Sequence, residues 1–177
     1  MIKKAVNKKA AVKDEPADFD RSPVIQSLVG KKAPAFNGVD QNGEKISLKD
    51  LAGKRVILYF YPHDATPTCT QQACNLRDNY SDLLQDGFEV IGISTDPVKK
   101  HKKFETKYEL PFALIADEDH SIADKYGVWG EKKFMGRIFD GIHRTTFLID
   151  EKGKIKAVIT KPHTKVHTDE IMEAWHS

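Results

Sequence analysis

Arg55-Val56-Ile57-Leu58-Tyr59-Phe60-Tyr61-Pro62-His63-Asp64-Ala65-Thr66-Pro67-Thr68-Cys69-Thr70-Gln71-Gln72-Ala73-Cys74 is an apolar run leading into a helix start, and it holds both cysteines of the chain. Arg55–Tyr61 has strand length and no polar alternation, the pattern of a central strand buried on both faces. Pro62 ends it. Thr66 is a favoured N-cap residue and Pro67 is favoured at the first helical position. A helix is therefore expected from Pro67 to about Gln85. Its apolar positions Cys69, Ala73, Leu76, Tyr80 and Leu83 recur at helical spacing, and Gly87 supplies the stop.

The same alternation continues on both sides. Upstream, Ala35–Asp40 and Lys45–Leu48 flank Gln41-Asn42-Gly43 as a hairpin. Downstream, Phe88–Ser94 is a second buried strand. Asp96-Pro97 is expected to cap a helix running to Tyr108, with Val98, His101, Phe104 and Tyr108 on one face. Phe112–Ala116 reads as a strand, and Ser121–Tyr126 as a short helix stopped by Gly127. Val128–Gly141 reads as a long loop whose Trp129, Phe134, Met135 and Phe139 must pack over something. His143–Asp150 and Lys154–Thr160 form a hairpin around Asp150-Glu151-Lys152-Gly153, and Thr168–Trp175 closes the chain as a helix. Strands alternating with helices predict an α/β fold, a mixed sheet between helices.

At 177 residues the chain is long enough for one domain with its own core. Residues 1–25 are expected to be a disordered arm. Lys3, Lys4, Lys8, Lys9 and Lys13 are followed by an acidic stretch broken by Pro16 and Pro23. Residues 26–177 form the domain. A net charge of +2 gives no argument for nucleic acid. No apolar run has the length of a membrane span. The basic N-terminus lacks a following apolar segment, so no secretory signal is expected and a cytoplasmic location is. Two cysteines are too few for a secreted disulfide scaffold.

Counting from an N-cap at Thr66 puts Cys69 at the third helical position. There, unpaired backbone N–H groups and the helix macrodipole favour an anion, and hence an ionised thiol. The alternative is a Cys that merely fills core space. Cys74 lies five residues on, about 140° around the helix and ~7.5 Å along it. Disulfide Cβ atoms need to be ~3.5–4.5 Å apart, so a bond between the two requires the first turns to unwind. That spacing suits a two-state redox switch better than a fixed disulfide. A metal pair would need further ligands, and neither flank supplies an obvious set.

Arg144 stands in the strand-like run Ile142–Ile149, on the same face as Thr146 and Leu148. It is either an exposed strand-end Arg or a cation in need of an anion. If this strand neighbours Arg55–Tyr61, the anion is the Cys69 thiolate. Other candidates read as ordinary surface. His163 and His167 have the i, i+4 spacing of a metal pair but are expected to be solvated. Asp117-Glu118-Asp119 reads as a solvated strand end, and Asp78 and Asp82 as surface charges.

These residues match a family. Pro62-x-x-x-Thr66-x-x-Cys69 resembles the peroxiredoxin signature. Cys74 at plus five resembles the resolving cysteine of the bacterioferritin comigratory protein (peroxiredoxin Q) subfamily. The likeness extends through Asp40–Gly43, Gly92–Asp96, Tyr126–Gly136, Asp140–Arg144 and Phe147–Asp150, and spans the chain from about Gly30.

The resemblance implies a thioredoxin-like fold with an N-terminal hairpin, and reduction of hydrogen peroxide and organic hydroperoxides. It makes Cys69 the peroxidatic nucleophile and Cys74 the resolving thiol. Pro62 would shield Cys69, Thr66 would hydrogen-bond the peroxide, and Arg144 would stabilise thiolate and peroxide oxygen. An intramolecular disulfide would be reset by thioredoxin, with no metal or organic cofactor. Such a cycle needs no second subunit, so a monomer is expected. Two departures stand out: Thr68 where the subfamily usually has Gly, and Gln72 where Glu is common.

Two rivals remain at this level. A thiol–disulfide exchange protein acting on proteins usually carries Cys-x-x-Cys, which this chain lacks. A non-enzymatic holdase would use the aromatic segment around Trp129 and Phe134.

Overall fold

The computed structural model describes residues 19–177. In chain order come α1 (Ser22–Gln26), the hairpin β1 (Asn37–Val39) and β2 (Lys45–Ser47), and β3 (Arg55–Phe60). Helices α2 (Pro67–Asp78) and α3 (Tyr80–Gln85) lead to β4 (Phe88–Ser94), α4 (Val98–Tyr108), β5 (Ala113–Ala116) and α5 (Ser121–Lys125). Strands β6 (Trp129–Phe134), β7 (Arg137–Ile142), β8 (Thr145–Ile149) and β9 (Ile155–Ile159) precede α6 (His167–His176).

The central sheet has the order β5-β4-β3-β8-β9. β3 is its middle strand, parallel to β4 and antiparallel to β8. Its residues feed two cores in alternation, as the period of a strand requires. Val56, Leu58 and Phe60 pack with Ile25, Phe36, Ile122 and Tyr126 on one face. Ile57, Tyr59 and Tyr61 pack with Cys69, Ala73, Leu76 and Trp175 on the other. Five of the six β3 residues are buried, which is why the run carries no polar alternation. Gly92 on β4 is required by close approach: a Cβ there would lie 2.9 Å from the Tyr59 ring and hydroxyl.

Several sequence expectations change. The single helix expected to reach Gln85 is two, because Asn79 (φ −108°) leaves the helical region and its side-chain amide donates to the Asn75 carbonyl at 2.8 Å. Asp96 does not cap α4. Its carboxylate instead accepts from the Ser94 hydroxyl and the Asp64 amide. Asp117 is not a solvated strand end: it is 2 % exposed and accepts from the amides of Ile122 and Ala123. The loop expected at 128–141 is a β6–β7 hairpin. Its two-residue turn, Met135 (φ 50°) and Gly136 (φ 78°), has the left-handed conformation that matches strand twist.

Residues 22–25, expected within the arm, are instead structured. Ser22–Gln26 is helical with Pro at its start, and Ile25 is 1 % exposed in the core. The five lysines lie outside the described residues.

Candidate active site

Backbone pairing brings the site together. Phe60 at the end of β3 pairs with Thr145 at the start of β8. Arg144 therefore sits beside the chain that turns through Pro62 and Thr66 into α2. The neighbouring strand on which the reading of Arg144 depended is the one observed.

Thr66 occupies the N-cap with extended φ/ψ, Pro67 the first helical position, and Cys69 the third. The Thr66 hydroxyl makes no cap bond. It donates to the His63 carbonyl at 3.2 Å, so the loop and not the helix takes it. Ala65 just before it has φ 60°, a left-handed conformation that costs a residue with a Cβ on the order of 1–2 kcal/mol. Pro62 is half-buried at the start of this loop.

Cys69 is 2 % exposed and packs against the Tyr59 and Tyr61 layer. Its Sγ lies 3.1 Å from Nη2 of Arg144, which donates to it. Nη1 of the same guanidinium donates to Oε1 of Gln72 at 2.6 Å. Gln72 is fully buried, three residues after Cys69 on the same helix face. Sequence reading noted it only as a departure; its i+3 spacing was the available signal. Because Gln72 is neutral, it orients Arg144 without cancelling its charge, and the cation is left to the sulfur.

Lys132 on β6 was not a sequence candidate. Burial and then the Arg144 charge hold its ammonium below its ordinary value, while Cys69 pulls the other way. Its Nζ donates to the Ile142 carbonyl at 2.7 Å. Arg144, Lys132, His143, Arg21, Lys161 and His163 line a solvent-open cleft of about 930 Å³, by which a small solute reaches the guanidinium.

Cys74 is half-buried further along α2, and both thiols are free. With both on one regular helix, the axial rise of about 7.5 Å keeps them from bonding. The two histidines expected to be solvated divide. His163 is exposed, but His167 is fully buried. Its Nε2 faces the Thr146 hydroxyl at 2.8 Å and its Nδ1 the Glu170 carboxylate at 3.2 Å. Burial pushes His167 below its ordinary value despite Glu170. Trp129 stacks on His120 with ring centroids 4.0 Å apart. Phe134, Met135 and Ile138 at the hairpin tip stay exposed.

A thiol at a helix start, beside a guanidinium on an α/β sheet, fits a thiol-dependent peroxidase of thioredoxin-like fold. Residues 29–158 match the AhpC/TSA family, and the chain belongs to it, as a peroxiredoxin. It is 50% identical to peroxiredoxin Bcp of Escherichia coli over 143 residues, 81% of this chain and 92% of that one. Against peroxiredoxin Bcp of Bacillus subtilis the identity is 40% over 145 residues, 82% and 92% of the two chains. Among solved structures, a Xanthomonas campestris peroxiredoxin Q superposes with TM-score 0.75 at 29% identity, covering 80% of this chain and 90% of that one. Peroxidoxin BcpB of Mycobacterium tuberculosis gives TM-score 0.74 at 31% identity, covering 84% and 96%. The expected thioredoxin-like fold and thiol peroxidase activity are both borne out.

Among the described residues, no helix is long and apolar enough to cross a membrane.

Proposed function

We propose that Cys69 is the peroxidatic cysteine, Cys74 the resolving cysteine, and a thioredoxin-type dithiol the reductant. The observation that carries this is the 3.1 Å contact between Arg144 and the Cys69 sulfur. A fixed cation beside a buried thiol favours its ionised form, and the thiolate is the nucleophile.

The thiolate attacks the near oxygen of a hydroperoxide and the O–O bond breaks. Sulfur gains that oxygen as a sulfenic acid, and the leaving alkoxide or hydroxide takes a proton to depart as alcohol or water. Arg144 and the free amides at the start of α2 face the charge developing on the oxygens, where prearranged donors act most strongly. Thr66, whose hydroxyl donates to the His63 carbonyl in the resting loop, turns that hydroxyl to the peroxide when substrate binds, and the Pro62 ring limits access of water to the sulfur. The first turn of α2 then unwinds. The Cys74 thiol attacks the Cys69 sulfenic acid, a disulfide forms and water leaves. An external dithiol reverses this by exchange and is itself oxidised to a disulfide.

No step requires a metal, an organic cofactor, or a residue from a second subunit. A monomer in the reducing cytoplasm satisfies every step.

Peptide mass mapping after one equivalent of hydrogen peroxide tests the cycle. The expected product is an intramolecular Cys69–Cys74 link. Dimers joined through cysteine, or Cys69 driven only to sulfinic acid, would overturn it.

A further inference from the structure

The loop between β3 and α2 is fastened from outside the site. Asp64 lies two residues before Thr66, and its side chain is only 5% exposed. Its Oδ2 is 2.7 Å from Nδ1 of His101, and its Oδ1 accepts from the Tyr61 hydroxyl at 2.6 Å. His101, on α4, is fully buried, and its Nε2 lies 3.0 Å from the Ile115 carbonyl on β5. Both ring nitrogens thus face oxygen atoms, one on Asp64 and one on Ile115. The Asp64 backbone amide donates to Asp96 at 2.8 Å, and Asp96 in turn accepts from Ser94 at 2.7 Å. His63 stands 4.0 Å from the other Asp96 oxygen.

Asp64, Asp96 and His101 present ligand-type atoms within 4.8 Å of one another. Yet each of these carboxylates already takes donors from the chain, so the cluster is closed on itself and not arranged for a cation.

We propose that Asp64 and His101 are positioning residues whose buried pair latches the β3–α2 loop to α4 and β5, and so sets how readily the first turn of α2 unwinds between peroxide reduction and disulfide formation. The proposal rests on the cycle given under Proposed function. Three features support it. The loop carries Pro62 and Thr66, so its position is the position of the groups around Cys69. Ala65 within it is held in a left-handed conformation that a free loop would relax. And the latch joins the loop to elements that bear no residue of the proposed cycle, so releasing it changes the balance of loop states without removing a reacting group.

The test is rapid-quench mass spectrometry of the reduced protein after hydrogen peroxide, following sulfenic acid and disulfide separately. Asp64→Asn and His101→Leu each disturb the Asp64–His101 contact. Asp64→Ala with His101→Leu removes both partners together, so that neither is left buried without the other. Ile155→Ala makes a cavity on the opposite face of the sheet as a control for general destabilisation.

The latch predicts that each single variant slows sulfenic acid formation by about tenfold, through misplacement of the loop. It predicts that the same variants speed disulfide formation from the sulfenic acid. The double variant should keep the faster second step while recovering part of the melting temperature. Ile155→Ala should leave the ratio of the two steps unchanged.

Single variants that shift the ratio no more than Ile155→Ala would overturn the latch and leave the proposed cycle standing. A wild-type protein that forms no sulfenic acid or disulfide would overturn the cycle, and the latch with it.

Discussion

The two halves of α2 are held in different ways. The second half is bolted to the rest of the molecule. Asn75 accepts from the amide and hydroxyl of Thr168 and donates to the Lys165 carbonyl, joining α2 to α6. Arg77 donates to the Tyr108 carbonyl at the end of α4, and Leu76 is fully buried. The first turn has no side-chain cap, and Pro67 and Thr68 are exposed. Its side-chain hold is Arg144 on Cys69, with Gln72 one turn on. The difference indicates which sulfur travels in the proposed cycle: the Cys69 turn peels away and the Cys74 turn stays. In that cycle, oxidation of Cys69 alters the sulfur that Arg144 contacts, which would loosen the first turn.

The comparison can be broken at either end. The largest expected effect comes from Cys69→Ser, which removes the proposed nucleophile and should lower peroxide consumption by about three orders of magnitude or more. Cys74→Ser should spare the first turnover and end recycling by a dithiol. Equal first-turnover losses in the two variants, measured by stopped flow, would erase the distinction between the halves.

Next comes Arg144→Ala, with an expected loss of about 10²-fold in the peroxide step. The ultraviolet thiolate absorbance of the reduced protein at neutral pH should fall with it. Unchanged absorbance would mean that the guanidinium does not hold the anion.

The anchored half has its own sensitivity, to acid. Burial holds His167, at the start of α6, below its ordinary value of 6.5. The unfolded chain therefore binds the proton more readily than the folded one. Stability is full above about pH 6.5 and falls as pH drops from there through the folded value. Glu170 acts in the same direction at lower pH. Burial raises it, but hydrogen bonds from His163 and His167 outweigh that and leave it below 4.5. Urea midpoints should decline between pH 7.5 and 5.5, and His167→Gln should flatten the decline. A wild-type midpoint that rises over this interval would contradict the assignment.

The smallest effect is expected from Thr68→Gly. A more flexible first turn should speed disulfide formation by about two- to fivefold. A slower disulfide step would show that unwinding starts elsewhere.

What the sequence revealed follows from what it encodes locally. Arg55–Phe60 was legible because a strand buried on both faces must be apolar throughout. The start of α2 was legible because Thr66 and Pro67 are placed by local backbone demands. The β6–β7 hairpin was not. Glu131, Lys133 and Phe134 are all exposed, so the strands carry no alternation, and only Met135-Gly136 signalled a turn. The break at Asn79 depends on an amide finding the Asn75 carbonyl, which apolar spacing does not report. Arg144 was legible as a charge in a strand but needed the β3–β8 pairing to meet the Cys69 sulfur. Asp64 and His101 are 37 residues apart, and nothing in either neighbourhood marks them as partners.

The most direct test follows the reduced protein at neutral pH through one equivalent of hydrogen peroxide, with thiolate absorbance and tryptophan fluorescence recorded together by stopped flow. The account predicts a thiolate signal that is lost in step with peroxide, then a slower fluorescence change as the first turn of α2 opens. A reduced protein that shows no thiolate signal and leaves the peroxide unconsumed would contradict it.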